Sequence, residues 1–316
     1  MAGLTVGCGS SSSSSSGGSS GGSSGGAKHY NMALVAGVKG DEFYITMNCG
    51  AQAEAKKLGV SLTFTGPDQF DPSLQTPVLN AVTARSPNAI LIAPTDVQAM
   101  QAPIDQAAQN SKIVLVDTTL KDPSIAQAQV HSDNTKGGTI AGQTLLKLIG
   151  NKGKVFVMNV KPGISTTDQR QQGFEQVVKG ASGVSYVGAQ YDQDDPAKAA
   201  SIVSAELQRN PDLAGIFATN LFSAEGAATA LQQAGKLGKV KIVGFDAGPK
   251  QVSDLSKGLV QALVAQQPAT IGQDGVQQAY NALTGKPVTK VINTGYNVIT
   301  KKNLPQMQSA LYKAGC

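Results

Sequence analysis

Two stretches decide the fold: VLNAVTARSPNAILIAPTD, from Val78 to Asp96, and IVSAELQRNPDLAGIFATN, from Ile202 to Asn220. Each reads as a helix closing on an Arg (Arg85, Arg209), then a Pro two residues on (Pro87, Pro211), then an apolar strand that ends in polar residues. Proline has no amide to donate and forces the residue before it out of helical geometry, so both helices stop just ahead of a strand. The same unit in the same order of elements, once in each half of the chain, predicts two lobes of one plan.

Working outward, short apolar runs rich in Val, Ile and Ala predict strands at Met32–Val38, Val60–Thr65, Ala89–Ala93, Lys112–Thr118, Gln127–Ser132, Lys154–Val160, Val184–Tyr191, Gly215–Thr219, Lys241–Asp246 and Leu259–Gln266. Helical stretches lie between most of them, at 43–58, 74–85, 97–109, 136–149, 168–179, 197–209, 224–234 and 250–257. Strands apolar on both faces and alternating with helices belong to parallel sheets covered on both sides. The expected class is therefore α/β, with two similar lobes, each a parallel sheet flanked by helices.

Composition agrees. The 316 residues include 41% hydrophobic and 15% charged residues, no Trp and 36 Gly, which suits many short α/β units with tight turns. The net charge is +5, but Lys and Arg are scattered singly or in pairs such as Lys56-Lys57. That is a solvated surface rather than the basic stripe of a nucleic-acid binder. Only two His and three Cys without a CxxC pair argue against a zinc site. No apolar run is long enough to span a membrane as a helix. There is no GxxxxGK[ST] phosphate loop, no GxGxxG after the first strand and no GxSxG elbow, so neither an enzyme nor a cofactor is expected. A Ser/Gly tract stands where a repressor of this plan would carry its helix-turn-helix.

Ligands of open parallel sheets bind beyond the carboxyl ends of the strands. Here those ends carry Asp117, Asn220, Phe245-Asp246 and Gln266, while the first strand leads through Gly37 and Asp41 to Phe43-Tyr44. Carboxylates accept charge-assisted hydrogen bonds from hydroxyls, amides donate and accept together, and aromatic faces pack the C–H face of a sugar ring. For any one acid a helix cap or turn role is the alternative.

Eight strings in order then resemble the type I periplasmic sugar-binding proteins of ABC transporters, in particular the ribose-binding group. They are GAQAEAKKLGV at 50–60, APTD at 93–96, VDTT at 116–119, SDNTKGG at 132–138, RQQGF at 170–174, PDLAGIFATN at 211–220, VGFDAGP at 243–249 and AQQP at 265–268. The resemblance implies an extracytoplasmic protein that captures a small sugar between two lobes and delivers it to a membrane permease. It implies lobes at 27–132 with 267–295 and 133–266 with 296–316, joined by a three-crossing hinge near Ser132–Asp133, Gln266–Gln267 and Gly295–Tyr296. Its ligand contacts fall on Phe43, Tyr44, Asp117, Arg170, Asn220, Asp246 and Gln266, with Phe245 beside them. Four positions depart from the ribose pattern: Gly37 for a Ser, Asp41 for an Asn, Thr118 for an Arg, and Asp194 near where an aromatic would stack. Another pentose, a hexose, a polyol or an amino-bearing sugar then fits better than ribose. Within the same fold, the run TGPDQFDPSLQ at 65–75 resembles binders of furanone-type signalling molecules, so a sugar-like signal read by a sensor or receptor is the alternative.

The N-terminus, MAGLTVGCG followed by Ser and Gly to Gly26, is similar to the end of a bacterial lipoprotein signal, with Cys8 as the acylated thiol and 9–26 as a disordered tether. The basic start and apolar stretch of a full signal are missing, as in a truncated chain or one with a misassigned start. If Cys8 carries lipid and anchors the body to a membrane, Cys49 and Cys316 remain. In an oxidising compartment they pair, pinning a short helical tail from Leu304 to Lys313 against the first lobe. Two unpaired thiols, one of them a small core residue, are the alternative.

Overall fold

In the computed structural model, residues 3–5 and 29–316 are described; Cys8 and the tether at 9–26 lie outside the described residues. The chain runs β1 (Asn31–Val35), α1 (Glu42–Leu58), β2 (Ser61–Thr65), α2 (Pro72–Thr83), β3 (Ala89–Ile92), α3 (Gln101–Ala107), β4 (Lys112–Val116) and β5 (Ala128–Ser132). It continues α4 (Asn134–Leu148), β6 (Gly153–Asn159), α5 (Ser165–Lys179), β7 (Val184–Tyr191), α6 (Pro196–Arg209), β8 (Leu213–Ala218), α7 (Leu221–Gln233) and β9 (Lys241–Phe245). It ends α8 (Pro249–Lys257), β10 (Ala262–Ala265), α9 (Pro268–Thr284), β11 (Val291–Thr294) and β12 (Asn297–Thr300), followed by a tail with two 3-10 turns.

The first sheet has the order β2-β1-β3-β4-β5-β11 and the second β7-β6-β8-β9-β10-β12. All pairings are parallel except that of β10 with β12. The two orders are one plan, and the stretches Val78 to Asp96 and Ile202 to Asn220 occupy equivalent places, running from α2 into β3 and from α6 into β8. Ile90, Leu91 and Ile92 of β3 and Ile216 and Phe217 of β8 are fully buried. Helices cover both faces of such strands, which is why their apolar runs are continuous rather than alternating.

The chain passes between the sheets three times: after β5, after β10, and between β11 and β12. Helix α4 then packs with the second sheet and α9 with the first.

All ten strands of the sequence reading are present, most with trimmed ends. The helix expected at 97–109 shrinks to α3, and three elements were not foreseen: α9, β11 and β12. Helix α9 hides because Gly272 and Gly275 lower its apparent propensity. Those glycines serve contact. A Cβ on Gly272 would lie 2.0 Å from the Met47 carbonyl oxygen, and one on Gly50 would lie 2.0 Å from that of Ala269, so α1 and α9 meet backbone to backbone. The tail is a correction: instead of a helix from Leu304 to Lys313 it forms 3-10 turns at Leu304–Gln306 and Gln308–Ala310 and then extends. Cys316 at its end is bonded to Cys49 of α1, with Cα atoms 5.3 Å apart.

Candidate ligand site

The carboxyl ends of both sheets face one cavity. Asp117 directly follows β4 and Asp246 directly follows β9, equivalent strands of the two lobes. Both are left-handed, with φ of 62° and 78°. Their amides donate to matching carbonyls one strand over, Asp117 to Val130 and Asp246 to Val264, each at 2.9 Å. Few residues other than Gly accept this backbone, Asp among them, and such conformations gather at functional sites. One turn used twice brings two carboxyls to the cleft.

Other side chains are fixed by their elements. Asp41 caps α1, accepting from the Phe43 amide at 2.7 Å. Tyr44, one residue further on, donates its hydroxyl to Asp117 Oδ2 at 2.8 Å. Arg170 of α5 lies over the Phe245 ring, 3.9 Å from its centroid, and donates to Asn134 Oδ1 and the Thr219 carbonyl, both at 2.9 Å. Asn220 caps α7 and donates to Asp194 Oδ1 at 2.5 Å. Gln266, at the second passage between lobes, donates to Asp246 Oδ1 at 2.8 Å.

The cavity between these groups offers about 410 Å³, its mouth included, and is lined by Asp41, Phe43, Tyr44, Phe70, Asp117, Val160, Ile164, Thr166, Thr167, Arg170, Asp194, Asn220, Asp246 and Gln266. Hydrogen bonds from lobe to lobe close its rim: Val97 amide to Gly163 carbonyl at 3.1 Å, Thr119 amide to Ser165 Oγ at 3.0 Å, and Lys161 Nζ to the Phe70 carbonyl at 3.0 Å.

Three buried carboxyls, Asp41, Asp117 and Asp246, and the half-buried Asp194 gather here; Arg170 acts on Asp117 and Asp246, and Lys161 on Asp194. Burial pushes Asp117 and Asp194 up to about 6; Arg170 and Tyr44 oppose this at Asp117, and the Asn220 hydrogen bond opposes it at Asp194. Asp246 is raised by burial against the pull of Arg170, Gln266 and Tyr312. Asp41 is raised well above the carboxylate range, by burial first and then by Asp194 and Asp246. Two polar atoms of residues that line the cavity have no partner among the described residues: Gln266 Oε1 and Thr167 Oγ1, on side chains 2% and 3% exposed. A buried polar atom without a partner carries a desolvation cost of about 1–3 kcal/mol, which a ligand hydroxyl would offset.

Of the residues singled out in the sequence, nine line the cavity. Two do not. Thr118 turns away to donate to the Pro94 carbonyl at 2.7 Å, and Phe245, fully buried, is the platform beneath Arg170. Phe70, Val160, Ile164, Thr166 and Thr167 were missed. Phe70 also explains Gly37: a Cβ there would come within 2.4 Å of the Phe70 ring and 2.6 Å of the Tyr44 hydroxyl. The sequence reading counted one aromatic wall as lost at Asp194, while an aromatic from the loop before α2 stands at the same cavity.

A family model described as a periplasmic binding protein domain matches residues 32–287. The ribose import binding protein of Escherichia coli is 31% identical over 86% of this chain and 90% of its own length. The D-ribose/D-allose-binding protein of Pseudomonas aeruginosa is 32% identical over 81% of this chain and 82% of its own. Among solved structures, an ABC transporter solute-binding protein from Agrobacterium vitis, bound with α-D-tagatopyranose, superposes with a TM-score of 0.88 at 43% identity, covering 90% of this chain and 99% of that one. Fold, cavity placement and sequence thus converge, and the chain belongs to the periplasmic binding protein family, extracytoplasmic proteins that bind a solute rather than transform it.

Proposed function

We propose that the chain captures a small sugar in the interlobe cavity and presents it to an ABC importer. One observation carries the reading. Gln266 Oε1 and Thr167 Oγ1, buried and without partners among the described residues, belong to a lining that also holds four carboxyls and a guanidinium drawn from both lobes. Only a ligand rich in hydroxyls answers so many acceptors and donors at once. Asp117, Asp194 and Asp246 accept from hydroxyls, Arg170 and Asn220 donate, and Phe43 and Phe70 offer ring faces to the C–H surface. The relatives' ligands, ribose, allose and tagatopyranose, favour a neutral pentose or hexose. The surplus of carboxyls favours a second reading, an amino-bearing sugar whose cation would balance them.

The lobes, 27–132 with 267–295 and 133–266 with 296–316, open and close about the three passages. Closure excludes water and so strengthens each polar contact. Lipid on Cys8 holds the body near a membrane through the tether; mass spectrometry of the exported protein finding an unmodified Cys8 would overturn this point. The ligand is tested by a thermal-shift screen with pentoses, hexoses, polyols and hexosamines. A hundredfold excess over Kd stabilises by about 2.7 kcal/mol, or about 5–10 °C in Tm for a protein of this size. No shift with any of them would sink the sugar reading.

A further inference from the structure

Tyr312 stands in the tail, far along the chain from every other residue of the site, and is 5% exposed. Its hydroxyl donates to Asp246 Oδ1 at 3.0 Å and accepts from the Gln266 amide at 2.9 Å. Its ring meets the edge of Phe43, with centroids 5.9 Å apart. One side chain thus touches an acid of the second sheet's cleft, the second passage between lobes, and an aromatic of the first lobe.

The backbone around it spans the same gap. The Tyr312 amide donates to the Ala247 carbonyl of the second lobe at 3.0 Å, and the next amide, Lys313, donates to Thr46 Oγ1 of α1 at 2.7 Å. Three residues on, Cys316 is bonded to Cys49 of the same helix. The chain enters the tail from β12 of the second lobe, so the tail leaves one lobe and is fastened to the other.

We infer that the tail is a fourth connection between the lobes, covalently closed by the Cys49–Cys316 bond, and that it carries Tyr312 to the back of the site as the residue that positions Asp246 and Gln266. The inference rests on the cavity being the ligand site. Gln266 and Tyr312 both donate to Asp246 Oδ1, so two side chains hold this carboxyl at the cavity. Because Tyr312 also holds the Gln266 backbone, both wall groups share one support. Tyr312 acts through them; it is not on the cavity wall.

The test uses the full chain as wild type, Y312F and the double variant C49S/C316S. Y312F keeps the ring against Phe43 and removes only the hydroxyl. Amide exchange without ligand comes first. The Gln266 amide is expected to exchange at least tenfold faster in Y312F, and the Tyr312 and Lys313 amides at least tenfold faster in C49S/C316S, with the β9 amides unchanged in both. Calorimetric titrations with D-tagatose, D-ribose and D-allose follow. The Y312F affinity is expected to fall by about tenfold or more, the worth of a hydrogen bond to a charged group. Its acid limb should also move to higher pH, since Asp246 loses a donor that favours its charged form. A merely structural tail would not move that limb. Wild-type exchange at these amides, or unchanged affinity with an unmoved acid limb, would overturn the inference. If wild type binds none of the three sugars, the sugar giving the largest thermal shift replaces them; if no sugar of that screen binds, the site reading has failed, and the exchange rates alone decide the role of the tail.

Discussion

Replacing Asp246 by Asn should weaken sugar binding and stabilise the ligand-free protein. Asn is isosteric and is among the few residues that accept a left-handed backbone, here φ 78°, so the turn after β9 persists. Its carbonyl oxygen keeps the place of Oδ1, which accepts from Gln266 Nε2 at 2.8 Å and Tyr312 at 3.0 Å. What changes is the other oxygen, which becomes an amide donor, and the charge. A hydrogen bond from a ligand hydroxyl to a buried carboxylate contributes about 1.5–3 kcal/mol, so Kd should rise about 10- to 150-fold. Without ligand the balance reverses. Burial raises the Asp246 carboxyl, which means its charge is costly in the folded state, and Arg170 only partly offsets that cost. Removing one partner of a buried charge pair usually destabilises, but here Arg170 keeps Asp117, Asn134, the Thr219 carbonyl and the Phe245 ring. A gain of about 1–2 kcal/mol is expected, some 2–8 °C in Tm. Calorimetric titration and a melting curve on the same preparation measure both effects. Unchanged affinity, or a ligand-free Tm lowered along with affinity, would refute the reasoning.

Further outcomes follow from the same geometry. Asp117 and Asp194 titrate near 6 in the folded protein against 3.8 ordinarily, so the folded state holds protons that the unfolded chain has released. That stability is present below about pH 4 and lost as pH rises through about 6, up to about 3 kcal/mol for each group. The ligand-free Tm should be higher at pH 5 than at pH 7.5, and a Tm that climbs across that interval would contradict the burial of these acids. Gly50→Ala places a Cβ 2.0 Å from the Ala269 carbonyl oxygen and should cost about 1–3 kcal/mol by parting α1 from α9; denaturant melts giving wild-type stability would show that the helices do not meet there. Phe70→Ala should weaken binding about tenfold by removing a ring face, with stability little changed, and titration finding full affinity would remove Phe70 from the site.

Much of this was legible in the sequence because parallel strands buried on both faces have nowhere to put polar residues except their ends. Val114, Leu115 and Val116 lie fully inside the sheet and Asp117 is the first polar residue after them; Val243 to Asp246 repeats the pattern. The acids of the cleft were therefore visible as the termini of apolar runs. Phe70 carried no such mark. It sits in the loop before α2, and only packing against Gly37 shows where its ring goes. Thr166 and Thr167 were lost because α5 begins at Ser165, three residues earlier than its sequence pattern, placing that first turn on the wall. Thr118 and Phe245 adjoin wall residues in the chain, but the left-handed backbone at Asp117 and Asp246 turns each acid to the cavity while Thr118 bonds the Pro94 carbonyl and Phe245 lies beneath Arg170. Tyr312 was out of reach, since its role depends on a tail whose course is set by one distant disulfide.

The most direct measurement is a crystal structure of the chain grown with the sugar that raises its Tm most in the screen. The account expects the sugar in the interlobe cavity, with hydroxyls within hydrogen-bonding distance of Asp117, Arg170, Asp246 and the Oε1 of Gln266, and a ring face against Phe43 or Phe70. A sugar bound elsewhere on the molecule, or one in the cavity that leaves Asp117 and Asp246 untouched, would contradict it.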